Sequence, residues 1–216
     1  MLNVYLTAFS KKSIYKVTSE VTNMRYIDYF LRAIHSVYFP IRRRQLVKRL
    51  MPELKNATTV LDIGCYDGRL SAVLQQKGQH FVGVDTVKSN KNYIPIVLYK
   101  GKRLPFKNNQ FETTLLIDVL HHTTDSLSLL QEARRVTRNK IIIKDHYYHY
   151  LFQNKLLKLF DYLGNKPYNI ALPYNFLNLD SWQQLIKSSK LTIGKMHTFH
   201  THLLHPINQV LYVLKK

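Results

Sequence analysis

The 216-residue sequence predicts an α/β fold: a doubly wound, mostly parallel sheet of seven strands with a C-terminal antiparallel hairpin and N-terminal helices. Two observations predict this class. Short apolar runs of strand length alternate with segments of helical periodicity, which is typical of βαβ units and a parallel sheet. The last two extended runs are joined by a short turn with no helix between them, which favours an antiparallel hairpin.

The N-terminal quarter of the chain is predicted to be helical after a short arm. Residues 1–23 have a weak hydrophobic pattern and are expected to form that arm. Apolar residues over Met24–Tyr38 recur at the spacing of one helical face. Pro40 suits the first turn of a second helix, and Pro52 is expected to end it. Residues 24–56 are therefore predicted to be helices that cap the domain that follows.

Residues 57–216 are predicted to form one domain with an insert at about residues 147–180. Its five parallel strands are apolar runs of strand length, at Thr59–Ile63, His80–Asp85, Pro95–Tyr99, Thr113–Asp118 and Lys140–Lys144. Helical patterns separate several of them, at Arg69–Lys77 and Ser126–Thr137. The hairpin is predicted at Leu191–Thr201 and Ile207–Leu214.

The composition is that of a chain without membrane-spanning helices. Hydrophobic residues make up 45% of it, yet no apolar run reaches the roughly 18 residues that a spanning helix needs. The N-terminus lacks the apolar core and cleavage site of a signal peptide, and the lone cysteine, Cys65, suits a reducing compartment. A cytoplasmic location is expected, with peripheral attachment to a membrane left open.

The chain is strongly basic. Its 32 lysines and arginines against 13 aspartates and glutamates give a formal net charge of +19. Such a charge attracts the phosphate groups of RNA or of anionic lipids. The basic residues are spread along the chain in small clusters, however, so a generally basic surface without a specific anionic partner is the alternative.

The polar turn after the first predicted strand is the first candidate binding site. Its sequence, GCYDG from Gly64 to Gly68, lacks the third glycine of a dinucleotide-binding turn and is not a phosphate-binding loop. Asp62 and Asp67 flank it, and their carboxylates favour a cationic ligand over a pyrophosphate. Asp85 ends the second strand, where an acidic side chain accepts hydrogen bonds from ribose hydroxyls. A cationic ligand that carries a ribose points to S-adenosylmethionine.

Three segments, in order and at similar spacing, carry a family resemblance. They are VLDIGCYDG at Val60–Gly68, GVD at Gly83–Asp85 and LPFKNNQFETTLLIDVLHHTTD at Leu104–Asp125. Together they resemble class I S-adenosylmethionine-dependent methyltransferases, in the type 11-like group related to the ubiquinone/menaquinone C-methyltransferases. The resemblance implies a Rossmann-like fold, a methyl-transfer activity and S-adenosylmethionine as cofactor.

The resemblance also implies which residues hold the cofactor. They lie in the first turn and at the ends of the next strands: Asp62, Gly64, Cys65, Tyr66, Gly68, Asp85, Thr86, Gly101, Lys102 and Asp118. Two positions depart from the family pattern. Tyr66 replaces a glycine, and Lys100 stands where the family often has an acidic residue that contacts adenine. Adenine recognition is therefore expected from backbone groups near Gly101 and Lys102.

Candidate catalytic groups follow the fourth and fifth strands, where the acceptor is expected. His121 and His122 follow the fourth strand, and Asp145 and His146 end the fifth. A histidine has a near-neutral pKa and is suited to accept a proton from an acceptor. The structural alternative is that these histidines open a helix or order a loop through hydrogen bonds.

The insert is expected to close over the acceptor. Its run K-D-H, D-x-x-G-N and L-P, at Lys144–His146, Asp161–Asn165 and Leu172–Pro173, resembles one methyltransferase subgroup but identifies no acceptor. Its aromatic residues, Tyr168, Tyr174 and Phe176, suit either a planar or lipid-like substrate or the packing of the loop.

The favoured function is methyl transfer to a small-molecule or lipid-like acceptor. The basic charge keeps an RNA methyltransferase as an alternative. Tyr66 and Lys100 keep a non-catalytic, methyltransferase-like binding or interaction protein as another. The histidine-dense tract His197–His205 has no nearby carboxylate or cysteine to complete a ligand set, so no metal is expected there or elsewhere. The oligomeric state is left open.

Overall fold

The structure of the chain, a computed structural model, describes residues 40–165, 172–202 and 205–216. The predicted arm at residues 1–23, the predicted helix at Met24–Tyr38 and the aromatic Tyr168 lie outside the described residues. Their structures stay predictions, as do the proposed domain boundaries.

A single seven-stranded sheet organises the described residues, with the strand order β3-β2-β1-β4-β5-β7-β6. The strands are β1 Thr59–Ile63, β2 His80–Asp85, β3 Ile96–Leu98, β4 Phe111–Ile117, β5 Thr137–His146, β6 Thr192–His202 and β7 His205–Lys215. Strands β1 to β5 pair in parallel, whereas β7 is antiparallel to both β5 and β6. The predicted fold class is confirmed, including the antiparallel hairpin.

Five helices flank the sheet or connect its strands in the described residues. They are α1 at residues 40–54, α2 Arg69–Leu74, α3 Ser126–Val136, α4 Leu151–Asn165 and α5 Leu179–Ser188. The side chains of Asp125 and Asn178 cap α3 and α5 by accepting hydrogen bonds from Ser128 and Ser181 backbone N–H groups. None of these helices is long and apolar enough to cross a bilayer.

Helix α1 continues two residues beyond its predicted end. Pro52 lies inside the helix, which ends at residue 54. Leu46, Leu50 and Leu54 recur every four residues on one face of α1 and are all buried. Because this apolar face continues past the proline, packing against the sheet holds the last turn despite the missing backbone N–H.

The strand interiors are apolar because both faces of the sheet are covered. Alternate strand residues contribute to two core clusters: Leu61 and Leu116 to one, Val60 and Leu115 to the other. The first cluster includes Trp182 of α5, and the second includes the buried leucines of α1. Burial on both sides explains why the parallel strands appear as continuous apolar runs in the sequence.

The order of the strands places a crevice at the carboxyl ends of the central strands. From β1 the chain continues to β2 and β3 on one side, and then returns to β4 on the other side of β1. This reversal leaves an opening beyond the carboxyl ends of β1 and β4, where doubly wound sheets bind their ligands. The polar turn after β1 and the histidines after β4 lie at these strand ends.

Candidate active site

The turn between β1 and α2 requires glycine at two positions. Gly64 has a φ of 70°, and a Cβ there would lie 2.6 Å from a methyl carbon of Val119. Gly68 has a φ of 72°, and a Cβ there would lie 2.4 Å from Ile94. The left-handed backbone and these close approaches both exclude larger residues without rearrangement.

Tyr66 has a backbone conformation that glycine adopts most readily. Its φ is 53°, in the left-handed region, and its side chain is 47% exposed. The ring is therefore accommodated at the surface without displacing the core. Residue 66 therefore keeps a left-handed φ although it is a tyrosine and not the family's glycine.

Asp85 joins the end of β2 to this turn. Its Oδ2 accepts a hydrogen bond from the Tyr66 backbone N–H at 2.7 Å, and its Oδ1 accepts one from the Val87 N–H at 2.9 Å. Each carboxylate oxygen can accept a further hydrogen bond. Asp85 thus fixes the shape of the turn and retains the capacity to accept ribose hydroxyls, which fits its predicted role.

Asp62 is a buried carboxyl beneath the turn. Burial raises its pKa to about 7, the hydrogen bond from the Ser71 hydroxyl at 2.6 Å lowers the pKa, and the negative charge of Asp85 raises it. Losing the proton would give Asp62 a negative charge able to pair with the cofactor's amino group. Asp62 therefore fits the role that the resemblance implies.

The other predicted cofactor residues lie around this turn or at the next strand ends. Cys65 packs over β2, since a Cβ on Gly83 would lie 2.4 Å from its Sγ, and burial raises the pKa of its thiol. Gly101 and Lys102 are exposed in the loop after β3, where a Cβ on Gly101 would lie 3.5 Å from Thr86. Their contacts with a cofactor stay predictions.

Asp118, at the end of β4, is paired with two cations. Its carboxylate accepts hydrogen bonds from the Arg42 guanidinium and from the Lys144 ammonium, the latter at 2.6 Å. Lys144 is fully buried, and burial together with the nearby Arg42 charge lowers its pKa well below the usual value. This ion-pair network connects α1, β4 and β5 beneath the crevice.

His121 and Asp145 form a buried pair between the ends of β4 and β5. His121 Nδ1 lies 2.5 Å from Asp145 Oδ1, and neither side chain is more than 3% exposed. Burial alone would lower the pKa of His121, but hydrogen bonds and charge interactions with Asp145 and Asp161 raise it to about 9. Burial also keeps His121 from direct contact with an acceptor.

His122 and His146 are the partly exposed histidines of this region, with side chains 20% and 17% exposed. His146 Nδ1 lies 3.5 Å from Asp118 Oδ1, which connects it to the ion-pair network. The rings of His122 and His146 have centroids 4.0 and 5.3 Å from that of His121. The structure thus brings all four predicted catalytic residues together, while their catalytic roles stay predictions.

Helix α4 contributes a residue to which the sequence had assigned no role. Asp161 Oδ1 lies 3.7 Å from His122 Nε2 and 3.8 Å from His121 Nε2, and it accepts a hydrogen bond from Asn165 Nδ2 at 2.6 Å. Phe176, in the C-terminal part of the insert, stacks on His121 at a distance of 4.9 Å between ring centroids. Asp161 and Asn165 belong to the D-x-x-G-N run, so the run itself was the available signal.

Comparisons with known proteins identify the kind of domain that the central part of the chain resembles. Residues 61–143 match the family described as "Methyltransferase domain". A tRNA (carboxymethyluridine(34)-5-O)-methyltransferase of Schizosaccharomyces pombe is 27% identical over 125 residues, 52% of this chain and 54% of that protein. An uncharacterised protein of Methanocaldococcus jannaschii is 31% identical over 106 residues, 46% of this chain and 48% of that protein. The matched regions span about half the length of these curated relatives.

A solved structure shares the fold over nearly the whole chain. The Burkholderia thailandensis 1,6-didemethyltoxoflavin-N1-methyltransferase, with bound 1,6-didemethyltoxoflavin and S-adenosylhomocysteine, aligns with a TM-score of 0.65. The alignment covers 99% of this chain and 93% of that one, at 14% identity. The predicted relation to the ubiquinone/menaquinone group stays a prediction. The family match over residues 61–143 and the fold together indicate a class I S-adenosylmethionine-dependent methyltransferase domain.

Proposed function

We propose that the protein transfers a methyl group from S-adenosylmethionine to a small, lipid-like acceptor. The turn after β1 carries this proposal, because Gly64, Tyr66 and Gly68 all adopt left-handed backbone conformations and Asp85 accepts hydrogen bonds at its edge. The cofactor supplies a methyl group made electrophilic by the sulfonium. The chain's own residues bind and orient the two reactants and receive the acceptor's proton.

The proposed roles follow from position in the crevice. Asp62 holds the cofactor's amino group, and Asp85 accepts hydrogen bonds from its ribose. His146 or His122 removes the proton from the acceptor, because these two histidines combine partial exposure with nearby carboxylates. His121 with Asp145 positions them from beneath.

Cofactor affinity is expected to increase about tenfold between pH 5.5 and pH 7, because the pKa of Asp62 in the free protein is about 7. Deprotonation gives Asp62 the charge that attracts the cofactor's amino group, which stays protonated over this range. The sign follows from the raised pKa: protonated Asp62 predominates at low pH and binds weakly. Calorimetric titration with S-adenosylmethionine at several pH values measures the effect.

The control for the pH dependence is Asp62→Asn, in which the side chain keeps an oxygen that accepts the Ser71 hydrogen bond. Its cofactor affinity is expected to be low and nearly independent of pH over the same range. An equally steep pH profile in the wild type and the variant would assign the dependence to another group, such as a histidine, and would contradict this role of Asp62.

The outward face of α4 supports a lipid-like acceptor. Surface helices of globular proteins usually turn their polar side outward. In α4, Leu151, Phe152 and Leu159 are 78%, 65% and 52% exposed, whereas Asp161 is turned toward the histidines. Exposed Lys155 lies among the apolar residues, and the net charge of +19 complements an anionic surface. We therefore propose a cytoplasmic protein that attaches peripherally to anionic membranes through α4.

Leu151→Glu/Phe152→Glu is expected to abolish most binding to vesicles that contain anionic lipid. The double variant removes two exposed apolar side chains and adds two charges that anionic headgroups repel. Cosedimentation with anionic and with zwitterionic vesicles measures it, and the wild type is expected to bind the anionic vesicles more strongly.

The matched control is Val73→Glu/Ile193→Glu, which adds the same two negative charges outside α4. Val73 and Ile193 are also exposed apolar residues, at 49% and 40%. It is expected to retain most of the vesicle binding. Equal loss in both double variants would mean that net charge alone governs attachment, and a wild type that ignores anionic vesicles would contradict the membrane proposal.

RNA is the second candidate acceptor, since one curated relative is named a tRNA methyltransferase and the chain is strongly basic. Binding to tRNA that weakens steeply with salt, together with methyl incorporation into the tRNA, would favour this candidate over a lipid. A protein that binds no cofactor would favour the third alternative, a non-catalytic member of the fold.

A further inference from the structure

We infer that His121, His122 and Asp161 form a binding site for one divalent transition-metal ion on the acceptor side of the crevice. Their candidate ligand atoms all lie within 4.8 Å of one another. Two imidazole nitrogens and one carboxylate form a ligand set used by zinc and by non-haem iron in proteins. The sequence predicted no metal, and Asp161 lies about 40 residues from the histidines along the chain.

The separations between the ligand atoms are close to those around a bound ion. Asp161 Oδ1 lies 3.8 Å from His121 Nε2 and 3.7 Å from His122 Nε2. Zinc bonds of 2.0–2.1 Å in a tetrahedral arrangement separate two ligand atoms by about 3.4 Å. Small side-chain rotations would therefore bring the three atoms into coordination distance.

The residues around the three ligands are arranged as in the outer shell of a metal site. Asp145 Oδ1 lies 2.5 Å from His121 Nδ1, which leaves Nε2 facing Asp161. The amide of Asn165 donates to Asp161 Oδ1 at 2.6 Å. Metal-binding histidines usually donate their second ring nitrogen to a carboxylate, and metal-binding carboxylates are themselves hydrogen-bonded.

Asp161 supplies an independent indication of a missing ligand. Its side chain is only 8% exposed, and among the described residues its Oδ2 atom is buried without a hydrogen-bond partner. A buried carboxylate oxygen without a partner is costly. A cation coordinated by both oxygens of the Asp161 carboxylate would satisfy Oδ2 as well and would neutralise the charge of the side chain.

Imidazole and carboxylate ligands select the kind of ion. They suit Zn²⁺, Fe²⁺, Co²⁺ or Mn²⁺, whereas Mg²⁺ and Ca²⁺ prefer sites built entirely from oxygen. The role of the ion rests on the proposed methyl transfer, but its binding does not. A hydroxyl acceptor bound to the ion would lose its proton more readily to His146, since His122 would be bound to the ion. The acceptor oxygen would then form the bond to the methyl group, while the S–CH₃ electron pair stays on sulfur.

The test measures metal binding by the full chain without cofactor or acceptor. Protein treated with a chelator and then dialysed is titrated with Zn²⁺ in competition with a chromophoric chelator. We expect one tight equivalent of Zn²⁺ and no comparable binding of Mg²⁺. Asp161→Asn and His122→Gln should each weaken Zn²⁺ binding by at least about 100-fold, since each removes a direct ligand.

The control variant is His197→Gln/His200→Gln, which alters the histidine-dense strand β6 and should leave the tight equivalent unchanged. Circular dichroism checks that each variant is folded, and His122→Gln tests the site independently if Asp161→Asn is unstable. The inference is overturned if the wild type binds no tight equivalent, if both ligand variants bind as the wild type does, or if the β6 variant loses the ion. Because the titration contains no cofactor, a failure to bind Zn²⁺ would overturn the metal site without bearing on the proposed cofactor site.

Discussion

Asp118→Asn is expected to lower the free energy of unfolding by about 3 kcal/mol, because it removes the carboxylate that pairs directly with the buried Lys144. The Lys144 ammonium lies 2.6 Å from Asp118 Oδ1 and is fully buried. Asparagine tolerates the left-handed backbone of residue 118, whose φ is 57°, so the variant changes the charge and not the conformation. Chemical denaturation monitored by circular dichroism measures the loss as a lower midpoint concentration.

The double variant Asp118→Asn/Lys144→Met is the control, since it removes both charges of the pair. It is expected to recover most of the lost stability, because a buried ion pair replaced by an apolar side chain is often neutral or stabilising. Arg42, whose side chain is 22% exposed, can turn toward water in both variants. If the single variant is as stable as the wild type, the network does not hold α1 against β4 and β5 as described.

Asp85→Ala is expected to weaken S-adenosylmethionine binding by at least about 100-fold, roughly 2.7 kcal/mol. The substitution removes the predicted acceptor for the ribose hydroxyls. It also leaves the Tyr66 and Val87 backbone N–H groups without their partner, so the turn loses the contact that shapes it. The first effect acts on the bound state, whereas the second leaves the turn less well organised before the cofactor binds.

The matched control is Asp180→Ala, which removes an exposed carboxylate in the first turn of α5. It should bind the cofactor as the wild type does, which excludes a general effect of the lost negative charge. Unchanged affinity in Asp85→Ala would contradict the assignment of the ribose site to β2, and thermal unfolding of each protein verifies that the fold is retained.

The sequence predicted the strands that local patterns determine. β1 and β2 have the predicted bounds, because short apolar runs there end at a polar turn or at Asp85. β5 is longer than predicted, at Thr137–His146, because Asp145 and His146 pair with β7 residues about 65 positions away, and Thr137 pairs with Phe111 of β4. Helix α2 is shorter than predicted and ends at Leu74. The Gln75 side chain donates to the Gln79 carbonyl, and the Gln79 side chain accepts from the Gln76 N–H, so these groups do not form a further helical turn.

The cofactor turn was visible in the sequence for the same reason. All of its glycines and Asp85 lie within about 20 residues and follow a family pattern. The contacts of Asp118 were not predictable, since Arg42 and Lys144 reach it from 76 and 26 residues away. Asp161 joins the histidines only because α4 folds back over the ends of β4 and β5, which no local spacing indicates.

Calorimetric titration of the wild-type protein with S-adenosylmethionine tests the central claim most directly. We predict one binding site with a dissociation constant on the order of micromolar, about 8 kcal/mol of binding free energy. The product S-adenosylhomocysteine should compete for that site. No detectable binding of either compound by the folded protein would contradict the account, and would mean that the turn around Tyr66 retains the family's backbone shape without its cofactor.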